Sequence, residues 1–541
     1  MDIFLAALLG LGLVGLLWCG WVRSKRLLHL FQLDSYSPKR LLRLLANRPR
    51  VAVPTDLVAA ALFGLGLTVT ERPILRVVFT LVWTVYVIGS VRGSVPPPEK
   101  KPLVFTGRAK RLVILTILIF GDVVVAAAFL ISPAPKSIAE ALRALAFWLP
   151  IGLLLLPVWL LLANLILMPA QAILNRAYLA RARRKIRELD PLVVGITGSY
   201  GKTSTKNFCE AILRRHFNVL ATPKSFNTLL GVSRTINEEL VRKTEIFLVE
   251  MGAYTMGEIR PSASLTRPKV GLITAIGLQH LERFGSRENI EKAKGELLEE
   301  LAPDGVAILN GDEEATARLE ERVPSGEVLK FSVSGQSDAF LRADRIEQNR
   351  EGLRFTLVGA DGTSQEIKSR LLGRHNVANM TAAAAIALHL GMKLPEIGRA
   401  LETLEAPPHR LELKKGVGGS TIIDNAYSSN PVGAHGSLEV LADLDARWRI
   451  LVTPGMVELG PERGKENERL GAAATEVCDH IILVGREVAS EVKRGVVSRG
   501  FDSERLHEVG GVDEVGSLLE TLGVDSRDLV LFENDLPDLY E

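Results

Sequence analysis

The chain is poor in cysteine, with Cys19, Cys209 and Cys478 the three thiols in 541 residues and no CxxC pair among them. That excludes a disulfide-stapled fold and a thiolate zinc ribbon, and it fits a reducing compartment. The chain also lacks a surplus of charge. Against 65 basic residues stand 62 acidic ones, a formal net charge of +3, so composition makes no case for nucleic acid as a partner. Internal repeats and low-complexity tracts are absent as well.

Long apolar runs are plentiful, and all lie in the first third. Residues 2–22 are apolar over the length a bilayer core demands. Without a basic leader segment or a small-residue cleavage site, this stretch reads as a span rather than a signal peptide. Further runs at 51–91, 112–132 and 145–168 follow, the first broken by Thr70-Glu71-Arg72-Pro73 into a tight hairpin. Basic residues crowd the segments between them: Arg23, Lys25, Arg26, Lys39 and Arg40 in the first, Arg92, Lys100, Arg108 and Arg111 in the second, Arg176, Arg181 and Arg184 in the third. The positive-inside rule places all three segments in the cytoplasm. An even number of crossings must then separate each from the next. The expected layout is a transmembrane region over 1–168 with five spans (2–22, 51–70, 74–91, 112–132 and 145–168), the N-terminus outside and everything beyond 170 in the cytosol. Asp122 is the one acid near the middle of a confident span, an intramembrane carboxylate of open role.

After a basic amphipathic linker over 169–190 the pattern changes to short apolar strands alternating with longer helices. Leu192–Thr197, Ile246–Glu250, Val270–Thr274 and Val306–Leu309 read as strands of a parallel sheet in a doubly wound α/β domain, 191–406. Consecutive prolines at Pro407-Pro408 mark a boundary. A second, Rossmann-like α/β alternation fills 407–541, with strands at Thr421–Asp424, Ile450–Thr453, Ile481–Val484 and Leu529–Phe532.

Between the first of these strands and a helix expected over about 202–216 lies Gly198-Ser199-Tyr200-Gly201-Lys202-Thr203. Glycines let backbone N–H groups converge on phosphate oxygens, and the helix N-terminus adds positive potential. Lys202 is placed to reach the β- and γ-phosphates of ATP and Thr203 to ligate Mg²⁺, with Ser204 completing the loop. Ile196 stands where the strict phosphate-loop motif has its first glycine, so the match is to a shortened form.

The run Gly195-Ile196-Thr197-Gly198-Ser199-Tyr200-Gly201-Lys202-Thr203-Ser204-Thr205-Lys206 resembles the nucleotide loop of the Mur ligases, a family of ATP-dependent amide-bond-forming enzymes. The resemblance continues in order through Ser225-Phe226-Asn227-Thr228, Glu250-Met251-Gly252-Ala253, Gly257-Glu258-Ile259, His280-Leu281-Glu282-Arg283, Ala293-Lys294-Gly295-Glu296, Asn310-Gly311-Asp312 and Gly373-Arg374-His375-Asn376. It ends at Asp424-Asn425-Ala426-Tyr427-Ser428-Ser429-Asn430-Pro431 and is closest to the branch that adds D-alanyl-D-alanine to a peptidoglycan precursor.

The resemblance implies activation of a carboxylate as an acyl phosphate, followed by attack of an amine. It implies Lys202, His280, Lys294 and Arg410 as catalytic residues. Thr203, Glu250, His280 and Lys294 (as a carbamate) would hold Mg²⁺. Asn310, His375 and Asn376 would contact adenine, beside the phosphate-binding Gly198, Ser199, Gly201, Lys202, Thr203 and Ser204. Asn227, Asp424, Tyr427 and Asn430 would line the substrate side. The acceptor carboxylate would be a UDP-linked or lipid-linked peptide, the amine an amino acid or dipeptide.

The pattern breaks in two places. Five spans occupy the position of the family's UDP-sugar domain. In the C-terminal part, Asn425 and Ser428 replace an aspartate and an asparagine, Thr453-Pro454-Gly455-Met456-Val457-Glu458-Leu459-Gly460 varies the family's Gly-Asp-Met-x-Glu-Leu-Gly, and Phe532-Glu533-Asn534 stands where Lys-Gly-Ser is expected. A poly-γ-glutamate-type synthase is the nearest alternative, and a transporter or sensor with a phosphate-loop domain is the alternative of a different class. Neither calls for the whole set of Glu250, His280, Lys294 and a second α/β lobe.

Overall fold

A computed structural model describes residues 2–34, 36–93, 102–128, 137–223, 226–324, 326–349, 351–427, 429–485 and 488–535. Ser225 and Ser428 of the motifs above lie outside them. The chain divides into two compact units, 1–176 and 177–536.

The first unit is helical: α1 (Asp2–Leu33), α2 (Pro38–Asn47), α3 (Pro49–Ala52), α4 (Thr55–Val69), α5 (Pro73–Gly93), α6 (Gly107–Ala126), α7 (Ile138–Leu154) and the start of α8 (Leu156–Leu189). Among the described residues three helices are long and apolar enough to cross a membrane, Ile3–Leu33, Pro73–Val91 and Leu156–Leu189, and Thr55–Val69 is a shorter apolar helix. The expected single span 145–168 is instead parts of two helices that meet at Leu155 (φ −83°, ψ 5°). Pro157 explains the break, because it brings no N–H for a continuing ladder but suits the first turn of a new helix. Residues 169–189 continue α8 rather than forming a separate linker. Helices meet at small residues: a Cβ added to Gly64 of α4 would stand 2.4 Å from the Ala146 carbonyl of α7. Trp83 is fully buried, and its indole N–H donates to the Ala60 carbonyl at 3.1 Å. Asp122 is exposed on α6.

The second unit opens with β1 (Leu192–Thr197), α9 (Lys202–Leu213), β2 (Val219–Ala221), α10 (Leu229–Glu238) and β3 (Ile246–Glu250). It continues through α11 (Arg260–Thr266), β4 (Val270–Ile273), α12 (Leu281–Phe284), α13 (Arg287–Glu299), β5 (Val306–Asn310) and α14 (Glu314–Ala317). Then come β6 (Val328–Ser332), β7 (Leu341–Asn349), β8 (Gly352–Gly359), β9 (Ser364–Ser369), α15 (Arg374–His389) and α16 (Leu394–Leu401). The nine strands form one sheet in the order β2-β3-β1-β4-β5-β6-β7-β8-β9. Residues of both parities are buried along its central strands. Val194, Ile196, Leu248 and Leu272 face a core containing Phe208 and Met380, while Val193, Phe247, Val249 and Ile273 face one containing Ile290 and Leu297. Two covered faces are what a doubly wound sheet requires.

The expectation of a wholly parallel sheet needs correction. β7, β8 and β9 pair antiparallel. Their half-exposed alternation is a polar pattern that a search for continuous apolar runs passes over.

The C-terminal lobe contains β10 (Glu412–Lys415), β11 (Thr421–Asn425), α17 (Pro431–Asp443), β12 (Arg449–Thr453), α18 (Arg463–Val477) and β13 (His480–Val484). α19 (Ala489–Ser498), β14 (Leu506–Val509), α20 (Asp513–Thr521) and β15 (Leu529–Glu533) complete it. The sheet order is β10-β11-β15-β12-β13-β14, parallel except for β10 against β11. Truncating Phe208 to alanine, in the core beneath α9, should lower unfolding stability by about 3–5 kcal/mol, read from denaturant unfolding of the full chain.

Candidate functional site

Strand β1 lies between β3 and β4, so the chain leaves it first to one side and later to the other. The crevice at the carboxyl end of such a strand is where α/β sheets bind ligands. Residues 198–201 fill that position. Gly201, the N-cap of α9, has φ 78°, and a Cβ there would land 2.2 Å from the Asn379 Oδ1 of α15. Ser199 is tied at both ends: its N–H donates to the Ala275 carbonyl (2.7 Å) and its hydroxyl to the Gly277 carbonyl (3.0 Å). Lys202 folds back over the loop, donating to the carbonyls of Gly198 (2.7 Å) and Ser199 (3.0 Å). Burial pushes its ammonium down to about 8 despite nearby Glu250, and Arg410 adds to the fall.

Glu250, at the end of β3, is 1% exposed. Its Oε1 accepts from the Thr203 hydroxyl and from Asn227 Nδ2, each at 3.1 Å. Lys206 Nζ stands 3.5 Å from Oε2, an oxygen that accepts no hydrogen bond. A buried carboxylate oxygen with coordination to spare, beside a hydroxyl at the mouth of a phosphate loop, fits a hard divalent cation. Thr203 and Glu250 are the residues that could hold it.

His280 heads α12 with φ 57°, its Nδ1 paired with the Glu458 carboxylate from the C-terminal lobe. Arg283 reaches the same carboxylate at 3.6 Å and lies over the Tyr254 ring, 4.4 Å from its centroid. Burial lowers the His280 pKa, opposed by Glu458, and Lys202 and Lys294 lower it further. Lys294, on α13, is 2% exposed, and burial first and Lys202 second hold its ammonium well below the usual range. A lysine so placed gives up its proton more readily than a free one, and the deprotonated amine is the form able to add CO₂ and become a carbamate. Lys202, Glu250, His280, Lys294 and Arg410 thus act on one another's charges across a single crevice.

Other expected residues serve local structure. Asn310 Oδ1 accepts from the Asp312 N–H at 3.1 Å. Asn376 donates to the Leu372 carbonyl at 2.7 Å and accepts from Asn379, whose Oδ1 accepts from the Thr205 hydroxyl at 3.2 Å. Ser204 is buried in the first turn of α9. The exposed His375 ring lies against Gly373 and, across the lobes, Gly436 of α17. Arg410 stacks over Tyr427 at 4.4 Å. Asp424 accepts from Lys414 (2.5 Å) and pairs with His409 Nδ1 (2.8 Å), which sets it in a cluster of its own with Glu412. Asn430 caps α17, accepting from the Gly433 N–H at 2.9 Å.

Four contributors carry no assigned role in the motif reading. Asn379 braces the phosphate loop, and its spacing of three from Asn376 on one helix was the available signal. Glu458 joins the lobes through His280. Glu533, fully buried, accepts from Asn425 (2.7 Å), Ser429 (2.5 Å) and Ser437 (2.6 Å), while Asn534 donates to the Gly455 carbonyl at 2.6 Å. The departures at 425, 533 and 534 therefore form one network beneath the Tyr427 loop.

The Mur ligase middle domain matches residues 196–387 and the Mur ligase glutamate ligase domain matches 409–533. The UDP-N-acetylmuramoyl-tripeptide–D-alanyl-D-alanine ligase of Bacillus subtilis is 31% identical over 356 residues, 65% of this chain and 75% of that one. This chain belongs to the Mur ligase family. The same ligase of Escherichia coli is 35% identical over 296 residues, and there this Mur ligase spans 54% of its own length and 65% of the relative's. Among solved structures, MurF from Acinetobacter baumannii superposes with a TM-score of 0.58 at 29% identity, over 66% of this chain and 76% of that one. MurF from Thermotoga maritima in complex with ADP shares the fold, with a TM-score of 0.59 at 24% identity.

A Lys202 ammonium that titrates near 8 is charged below that pH and neutral above it. ADP affinity measured without metal should therefore fall between pH 7 and pH 9.5; a flat profile contradicts this assignment. Gly201→Ala, with its Cβ driven into Asn379 and its φ unfavourable, should weaken ADP binding by more than ~10-fold, read by fluorescent-nucleotide titration.

Proposed function

We propose that this Mur ligase is an ATP-dependent amide ligase of the D-alanyl-D-alanine-adding type, acting in peptidoglycan precursor synthesis. The observation that carries it is the Glu250 oxygen without a hydrogen bond, buried beside Thr203 and the Lys202 loop. ATP would supply the phosphoryl group that turns the acceptor carboxylate into an acyl phosphate, and Mg²⁺ would neutralise charge during that transfer. The chain's own residues do the rest. Lys202 would turn from its loop carbonyls to the phosphates, and the amides of residues 198–202 would cradle them. Thr203 and Glu250 would hold one cation, and His280 with carbamylated Lys294 a second. Asn310, His375 and Asn376 would face the base, and Arg410 would bring positive charge from the second lobe. Asn227, Asp424, Tyr427 and Asn430 would border the incoming amine.

The helical unit supports a membrane-bound reading through the three helices long and apolar enough to cross, Ile3–Leu33, Pro73–Val91 and Leu156–Leu189, with the lobes at 191–406 and 407–541 in the cytosol. The acceptor would then be a UDP-linked peptide or its lipid-linked form.

Phosphate release by the purified full chain, with D-alanyl-D-alanine as amine and each acceptor in turn, tests the activity. Release should require both substrates and Mg²⁺. In Lys294→Ala it should drop more than ~100-fold and return in part with added acetate, which replaces the missing carbamate. Release independent of any amine would overturn the ligase reading. Alkaline carbonate should leave the full chain in the membrane pellet; complete extraction would overturn the membrane reading.

A further inference from the structure

Strand β15 lies between β11 and β12, and Glu533 at its end stands in register with Asn425 at the end of β11. The carboxyl ends of such strands are where α/β sheets receive ligands. Two loops leave them here, β11–α17 with Tyr427 and Asn430, and β12–α18 with Glu458. Glu533 and Asn534 join both loops, at positions where the family resemblance implies a glycine and a serine.

Glu533 is fully buried. Its Oε1 accepts from the Ser429 hydroxyl at 2.5 Å. Its Oε2 accepts from Asn425 Nδ2 at 2.7 Å and from the Ser437 hydroxyl of α17 at 2.6 Å. Asn534 holds the same loop: its Oδ1 accepts from the Ser429 N–H at 3.1 Å, and its own N–H donates to the Asn425 carbonyl at 3.2 Å. Its Nδ2 donates to the Gly455 carbonyl of the second loop at 2.6 Å. The φ of 71° at Asn534 is left-handed, a conformation that asparagine adopts more readily than most residues. Ser429 is thus held by hydroxyl and N–H alike, two residues from Tyr427 and next to Asn430. All three donors to Glu533 are neutral, and a buried carboxylate so supported is a costly way to fill space. What it supplies beyond packing is a pair of oxygens that accept from three donors at once. An aspartate at 425 would oppose it with a second negative charge, so Asn425 and Glu533 form a matched set.

We infer that Glu533 and Asn534 are positioning residues for the amine substrate. They fix the β11–α17 loop in the shape that presents Tyr427, and they tie it to the loop that carries Glu458. Both side chains are buried, so they act through Ser429 and Asn425 rather than by touching substrate. The inference rests on the D-alanyl-D-alanine-adding reading above, in which Tyr427 and Asn430 border the amine. Because Lys202 and Glu250 of the first lobe hold the nucleotide side, a slackened loop acts chiefly on the amine.

The test is steady-state phosphate release by the full chain, with D-alanyl-D-alanine, acceptor and ATP varied in turn. Asn534→Gly leaves the backbone free to keep its φ while removing both side-chain bonds, and Ser429→Ala releases one hold without touching the buried carboxylate. Each should raise the dipeptide KM about tenfold, the scale of one or two lost hydrogen bonds, with kcat and the ATP KM staying within about threefold. Glu533→Ala should raise it further, and Glu533→Gln, which keeps the shape and one acceptor oxygen, should recover most of that loss. Val515→Ala, a truncation in the core of the same lobe, should lower the melting temperature without moving the dipeptide KM. A dipeptide KM unmoved in Asn534→Gly and Ser429→Ala, an equal rise in the ATP KM, or a rise of the same size in Val515→Ala would each overturn the proposal. If the unmodified chain shows no amine-dependent release, the ligase reading fails and this inference falls with it; amine-dependent release with an unmoved KM in the variants sinks this inference alone.

Discussion

One buried carboxylate organises the nucleotide crevice. Glu250 cannot be removed from water cheaply, and the chain meets that cost with Thr203, Asn227 and Lys206, drawn from the head of α9, the loop before α10 and the middle of α9. Its own N–H donates to the Thr222 hydroxyl at 3.1 Å, which fixes the end of β3 against the strand beside it. The phosphate loop, its helix and the β2–α10 connection are thereby held around a single negative charge. The oxygen left over gives the site its chemistry. The lysines add the opposing constraint: burial and the charge of Lys202 depress the ammonium of Lys294, burial and Arg410 that of Lys202, and both are more comfortable once anions arrive.

The second lobe contributes by contact at named points. Glu458 takes His280 and Arg283, its carbonyl accepts from the Glu282 N–H at 3.3 Å, and Arg410 extends over Tyr427 toward the charges of the first lobe. Beneath Tyr427, Glu533 and Asn534 bind the β11–α17 loop to the β12–α18 loop. Burial raises the Glu533 pKa, and three donors oppose that rise. The altered residues at 425 and 533 are therefore partners: an amide and a carboxylate that satisfy each other at 2.7 Å. The lobe has changed its polar residues without leaving these side chains unpaired.

In the helical unit the governing constraint is that polar groups need partners inside the bundle. Trp83, Gln32 and Thr116 all direct their donors at backbone carbonyls. Arg108 and Arg111 donate instead to the side-chain amides of Asn164 and Gln171.

The sequence by itself determined the succession of elements and the chemistry of the phosphate loop. Both follow from local rules: short continuous apolar runs for strands with both faces covered, a glycine turn between strand and helix, and basic residues gathered between apolar runs. It also carried, through ordered motifs, the family and most of the residues in the crevice. Tertiary structure decided the rest. β7 to β9 pair antiparallel, because a half-exposed meander has no apolar run to announce it. Leu155 breaks one apparent span into two helices, since hydropathy does not register the missing N–H of Pro157. Asn379, Glu458 and Glu533 meet partners more than 90 residues away, and no spacing along a chain specifies such distances. Which residues can carry charge is written locally. Which of them must share it depends on how the sheets bring their strand ends together.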